Sequence, residues 1–177
     1  MIIKDKVGLS AVEDEHLEQF KEWRNLPELR QYFRQYQELN DTNQYEWYDR
    51  IVNSRNDIFF SIHGYRKREE KRLWVLIGAC GLANIDWRNG VAEISLYVGP
   101  QYVNEEASIA LGILIDYAFY ELNLYRVWAE VYKFDTKKYN LLTNTGFEQE
   151  GVLREHHFHD GARHDSFILG LLKSEYV

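Results

Sequence analysis

Cysteine and proline are scarce in this chain, and each scarcity removes a class of structure. A single cysteine, Cys80, cannot form an intrachain disulfide, so no disulfide framework stands in for a hydrophobic core. It lies in the apolar string LIGACGL, which marks it as a core thiol of a reducing compartment rather than a nucleophile. Two prolines, Pro27 and Pro100, are too few for a Pro-rich linker. No run is long enough to be a membrane span, since the most apolar stretch, 107–119, is short and carries Asp116. Polar residues follow Met1 within a few positions, so no secretory leader is expected and the cytoplasm is the expected location. Basic residues are outnumbered 21 to 28 by acidic ones, giving a net charge of −7. A nucleic-acid-binding stripe is therefore not expected, and an acidic balance suits amine or cationic partners instead.

What is present is a sequence able to bury a core. At 177 residues and 45% hydrophobic, the chain has the length and composition of one globular domain, expected over 1–177. Val7 to Leu9 predicts a short strand. Ser10, with Glu13 three residues on, has the pattern of a capping box before an amphipathic run that reaches Trp23 and breaks at Pro27. A second helix is predicted from Asp41–Thr42, turning Tyr45, Tyr48 and Ile51 inward. Ile58–His63 and Leu73–Ala83 predict strands joined by the charged tip YRKREEKR. Val91–Val98 alternates, with Ile94, Leu96 and Val98 on one face and Glu93, Ser95 and Tyr97 on the other.

After Gly99-Pro100, Asn104 is placed to cap a helix whose apolar positions, Ala107, Ala110, Leu111, Leu114, Ala118 and Leu122, follow a 3.6-residue period. A strand over Tyr125–Val131 and a helix from Asp135 to Thr145, stopped by Gly146, come next. Asp160-Gly161 then joins two closing strands as a two-residue hairpin turn. The order predicts an α/β (α+β) fold: a mixed, mostly antiparallel central sheet with helices on both faces.

Four strings carry a resemblance: WRNLPELRQYF at 23–33, GACGLANIDWRNGVAEISLYVGP at 78–100, ALGILIDYAFYELNLYRVWAEV at 110–131, and TGFEQEGVLREHHFHDGARHDS at 145–166. In order and wording they resemble the GNAT superfamily of N-acetyltransferases, in particular its ribosomal-protein-alanine and amino-sugar branches. The resemblance implies an acetyl-coenzyme A-dependent N-acetyltransferase with no metal. It also implies that the backbone of Leu96, Tyr97 and Val98 pairs with the pantetheine arm, and that the loop after Pro100 receives the pyrophosphate. The family's phosphate loop is Arg/Gln-x-x-Gly-x-Gly/Ala, whereas this chain has YVNEEA at 102–107. Ala107 matches the last small position, Glu105 replaces the first glycine, and Asn104, Glu105 and Glu106 also make an ordinary acid-rich first turn. Asp135 stands where the family commonly has an Asn that binds pantetheine. Leu142 stands where a Tyr usually protonates the leaving thiolate, so Tyr139, one turn earlier, is the substitute.

Within this frame Glu93, on the polar face of its strand, is the candidate general base. Lys138, with Lys133 and Lys137, is a candidate for the nucleotide phosphates. Arg30, Tyr32, Arg34 and His157 are candidate acceptor contacts, the arginines suiting a phosphate-bearing amino sugar. His156, His157, His159 and His164 lack the spacing and partner ligands of a zinc site. The expected acceptor is a primary amine on a small molecule, with a protein N-terminus as the alternative. Association as a homodimer is compatible with the sequence. Glu105, Asp135 and Leu142 together support a rival, a binding module of the same fold that has lost acyl transfer.

Overall fold

The computed structural model describes residues 1–68, 71–102 and 104–176, and the side chains of Arg68, Lys71, Arg72 and Asn104 lie outside that description. One eight-stranded sheet runs through it. The elements are β1 (Ile2–Lys4), β2 (Val7–Ala11), a 3₁₀ turn (Asp14–His16), α1 (Leu17–Asn25), α2 (Pro27–Arg30), α3 (Asp41–Asn53), β3 (Ile58–Arg68), β4 (Lys71–Asp86), β5 (Val91–Val98), α4 (Asn104–Asp116) with a π-helical extension (Tyr117–Glu121), β6 (Arg126–Tyr132), α5 (Thr136–Asn144), β7 (Glu148–His159) and β8 (Ala162–Leu172). The strand order is β1-β2-β3-β4-β5-β6-β8-β7. Every neighbouring pair is antiparallel except β5–β6.

That parallel pair positions the site. It consists of three rungs, Val91–Arg126, Ala92–Val127 and Glu93–Trp128. Beyond Glu93, β5 stays paired with β4 as far as Val98, while β6 stays paired with β8 as far as Tyr132. The sheet therefore forks, and the β6-facing edge of residues 94–98 has no ladder partner among the described residues.

Helices cover both faces, as the amphipathic runs predict. On one face α4 and α5 bury Ala110, Leu111, Leu114, Ile115 and Leu142 against Ile77, Ile94, Val127, Ala129 and Leu169. On the other, α1 and α3 bury Phe20, Trp23 and Ile51 against Ala79, with Phe59 and Tyr97 packed beside them. Each fully buried large side chain contributes roughly 1.5–3 kcal/mol. The alternation of β5 places Glu93, Ser95 and Tyr97 on the α1 side. Gly146 lies just past α5 with φ 102°, and Asp160-Gly161 (φ 49° and 73°) make the left-handed turn of a two-residue hairpin.

Three local expectations are corrected. Ser10 does not cap a helix. It pairs with Ser61 inside β2, and the capping box forms three residues later between Glu13 and His16, because the sheet ladder keeps the chain extended through Ala11. Tyr45 faces outward at 51% exposure and Gln44 is buried in its place, while Tyr48 and Ile51 pack inward as expected. β1, a short and exposed strand, was not expected at all. The hairpin tip at 69–70 within YRKREEKR lies outside the described residues. Asn104 is the first residue of α4, and the side chain expected to cap it lies outside the described residues.

Candidate active site

The fork holds two carboxylates that local sequence brings to the same face. Glu93 on β5 and Glu130 on β6 both point to the α1 side, with side chains 11% and 10% exposed. Alternation explains each: Ala92 and Ile94 flank Glu93 toward the core, and Ala129 and Val131 flank Glu130. Two nearly buried carboxylates on adjacent strands repel unless a cation sits between them. Here that cation is Arg34, whose Nη2 lies 2.5 Å from Glu93 Oε1 and 3.0 Å from Glu130 Oε2. Its guanidinium is held even more firmly protonated than usual. The leading cause is its hydrogen bond to Glu93, which outweighs the opposing effect of burial. Burial alone would raise Glu130. The nearby Ser166 hydroxyl, Arg34 and His156 more than offset it and hold the carboxyl below the ordinary range.

Further groups complete the fork. Asn84 adopts a left-handed conformation (φ 52°) at an irregularity in β4 and points its amide at Glu93 Oε2, 3.4 Å away. His156 Nε2 is 3.7 Å from Glu130 Oε1. Half-buried Lys138 reaches in from α5 and donates to the Glu130 carbonyl at 3.3 Å. Burial lowers its pKa, against the attraction of Asp135, Glu93 and Glu130.

Residues 31–34 cross the fork on this face. Phe33 meets Tyr97 edge-on at 5.2 Å, and Tyr32 lies 6.0 Å from Phe134, so the segment reaches from β5 to the end of β6. His157 stacks on Tyr132 at 3.7 Å and extends an aromatic wall through Phe134 to His159 and His164. Burial, then the neighbouring imidazoles, lower the His157 pKa. No group of metal-ligating side chains occurs among the described residues.

The structure brings together Glu93, Arg34, Lys138, Tyr32 and His157, and places other expected residues elsewhere. Arg30 pairs with Glu38 at 3.6 Å inside its own segment. The Tyr139 hydroxyl donates to Gln149 of β7 at 3.3 Å and its ring packs on Phe167, so it serves the β7–β8 side of α5. Asp135 accepts from the Lys138 N–H at 3.0 Å and is the N-cap of α5, which explains an Asp at that position. Lys133 pairs with Asp165 at 3.1 Å.

At the start of α4, Glu105 pairs with Lys6 at 2.9 Å. Glu106 is almost wholly buried and turns to Arg66 of β3, which binds it with two nitrogens at 2.6 and 3.2 Å. Both acidic side chains are thus drawn sideways onto neighbouring cations, and small Ala107 packs inward. The donors on the 94–98 edge fit an extended amide-bearing arm. The two glutamates make the first turn a weaker anion site than the family pattern provides.

Glu130, His156 and Arg66 were missed. Glu130 had a readable signal: it shares a face with Trp128 and Tyr132 in RVWAEVY, opposite three core residues. His156 had none, because a bulge at Glu155 (φ 52°) changes the alternation of β7.

This geometry agrees with an acetyltransferase (GNAT) domain model that matches residues 6–148. The chain belongs to the GNAT acetyltransferase family. It is 40% identical to the uncharacterized N-acetyltransferase p20 of Bacillus licheniformis over 103 residues, 58% of each chain. It is 29% identical to a spermidine N(1)-acetyltransferase of Vibrio cholerae, over 58% of this chain and 60% of that one. The matched stretch therefore spans about three fifths of these curated relatives. Among solved structures, the V. cholerae spermidine N-acetyltransferase in complex with CoA and spermine superposes with a TM-score of 0.85 at 23% identity, covering 97% of this chain and 98% of that one. A dodecameric structure of that enzyme gives 0.79 at 23% identity, covering 97% and 96%. These structures establish the shared fold. No helix among the described residues is long and apolar enough to cross a membrane.

Proposed function

We propose that the chain transfers acetyl from acetyl-coenzyme A to a primary amine of a small cationic molecule, with polyamines the favoured class. The observation that carries this reading is the cation already bound at the fork: one nitrogen held between Glu93 and Glu130 beside the 94–98 edge, which has no ladder partner among the described residues. Acetyl-coenzyme A supplies the acetyl group as a thioester. The edge N–H groups of 94–98 hydrogen-bond its pantetheine arm and the developing oxyanion, where preorganised donors are most effective. Glu93 takes the proton from the attacking amine as the C–N bond forms and the C–S bond breaks, leaving coenzyme A as thiolate. With Tyr139 bonded to Gln149, no tyrosine is assigned to protonate that thiolate, and a pKa of about 8.5 makes it a tolerable leaving group unaided.

A phosphate-bearing amino sugar is less well supported, since Arg30 and Arg34, the cations that argued for it, both have carboxylate partners. The crossing of residues 31–34 over the fork favours a small acceptor over a protein N-terminus. The reading keeps the cytoplasmic placement that the lone buried Cys80 suggests. It also keeps homodimeric association, which light scattering measures.

The test is release of free thiol from acetyl-coenzyme A in the presence of spermidine, a monoamine or a peptide, with a thermal-shift titration of the cofactor alongside. Cofactor at about 100 times its dissociation constant stabilises the fold by roughly 2.7 kcal/mol. Thiol release with spermidine is the expected result. No thermal response at millimolar cofactor supports the binding-module rival, and release with the peptide alone reverses the choice of acceptor.

A further inference from the structure

We propose that Arg34 is an internal stand-in for the acceptor's ammonium group, and that it sets acceptor affinity because the acceptor must displace it. The inference deepens the amine-acceptor reading and rests on it. A single nitrogen, Arg34 Nη2, contacts one carboxylate from each arm of the fork. A protonated primary amine satisfies such a pair in the same way, with one nitrogen and two charge-assisted bonds. Both carboxylates are nearly buried, while the Arg34 side chain is 57% exposed. The anionic half of the arrangement is thus fixed in the sheet, and the cationic half arrives from outside.

The carrier of Arg34 suits displacement. Residues 31–40 form no regular helix or strand, lying between α2 and α3. Their backbone is not part of the sheet, so removing Arg34 from the fork breaks no ladder. Phe33 and Tyr32 flank it with aromatic contacts rather than ion pairs, and Arg30 and Glu38 clip the segment at its base. While Arg34 is in place, Glu93 spends its hydrogen-bonding capacity on a guanidinium and on the Asn84 amide. Arrival of the amine therefore does two things in one exchange: it fills the cation position and gives Glu93 the proton it has to remove.

The exchange has a measurable signature. In the native protein one cation replaces another, so binding has little dependence on ionic strength. Without Arg34, binding creates new ion pairs and weakens steeply with salt. Calorimetric titration of n-butylamine, without acetyl-coenzyme A, into the native protein, Arg34→Gln and Arg34→Lys separates the cases. The expected result is about tenfold tighter binding by Arg34→Gln at low salt, a steeper salt dependence, and native-like behaviour in Arg34→Lys. Thermal unfolding of all three proteins confirms that they are folded. Equal affinity in the native protein and Arg34→Gln, or no detectable binding by either, overturns the proposal. Because no acetyl transfer is measured, tighter butylamine binding by Arg34→Gln upholds it even where the thiol-release test fails.

Discussion

Truncating Arg66 to Ala should be among the most damaging single changes outside the core. Arg66 holds Glu106 through two bonds of 2.6 and 3.2 Å, and the Glu106 side chain is only 4% exposed. Removing one partner of a buried pair typically costs 3–5 kcal/mol, because the remaining charge keeps its desolvation penalty and loses its compensation. Arg66 is itself 35% exposed, so water enters part of the vacated space, and the lower figure of about 2–3 kcal/mol applies. Stacking of Arg66 over the Tyr102 ring, 5.6 Å to the centroid, is lost as well. For a chain of this size each kcal/mol moves the midpoint by about 2–4 °C, so Arg66→Ala should melt roughly 4–12 °C lower. If the cost comes from the stranded carboxylate, Arg66→Ala/Glu106→Gln should be more stable than Arg66→Ala alone by about 1–2 kcal/mol, since the second change removes the charge. Calorimetry of the four proteins measures the cycle. Additive losses would mean that Glu106 is already solvated and that the pair contributes nothing beyond packing. Glu106→Gln by itself also releases Arg66 near the first turn of α4 and should tighten coenzyme A binding at low salt.

Glu93→Gln keeps the shape of the fork and removes the proposed base, so turnover should fall by about 10²–10⁴-fold with coenzyme A affinity nearly unchanged in parallel titrations. His16 and His63, packed 5.3 Å apart beneath α1 and bonded to Ser61 and Ser10, have pKa values lowered chiefly by burial. The unfolded chain therefore binds more protons than the folded one as pH falls below about 6.5, and stability should be full above that pH and decline beneath it. Chemical denaturation at pH 7.5 and 5.5 checks the sign, and a midpoint that rises in acid contradicts it. Gly78→Ala would place a methyl group 2.2 Å from the Tyr97 carbonyl oxygen and 2.9 Å from Val98 Cα, backbone atoms that cannot step aside. Overpacking there should cost about 1–3 kcal/mol and displace the proposed cofactor edge, seen as weaker coenzyme A binding together with a lower melting midpoint.

Much of the fold was legible because it depends on local periodicity. The alternation of β5, the 3.6-residue repeat of α4, the Asp160-Gly161 turn and Gly146 after α5 each act within a few residues. The misplaced cap at Ser10 shows where local signals fail. A favourable capping pattern lost to ladder bonds with Ser61, fifty-one residues away, and the neighbouring Glu13–His16 pair took the role. The site divides along the same line. Glu93 could be read from its strand, whereas its tie to Arg34 spans 59 residues and that of Arg66 to Glu106 spans 40. Glu105, Asp135 and Leu142 read as departures from the family's motifs. The Lys6 pairing, the α5 N-cap and the core position of Leu142 supply structural reasons for all three.

The three-rung contact between β5 and β6 also bears on edge-to-edge strand aggregation at the fork. An unpaired strand margin is normally a template on which another chain can grow. Here the margin beyond Glu93 lies inside the fork, facing β6 rather than open solvent, with residues 31–34 crossing one face and Lys138 reaching in from α5. A flat incoming strand from a second molecule is obstructed there, whereas a slender flexible arm can thread between the strands. The same slit that leaves room for a ligand thereby hinders the commonest aggregating partner, so this chain can keep its sheet incomplete at the fork without the usual hazard of an open edge.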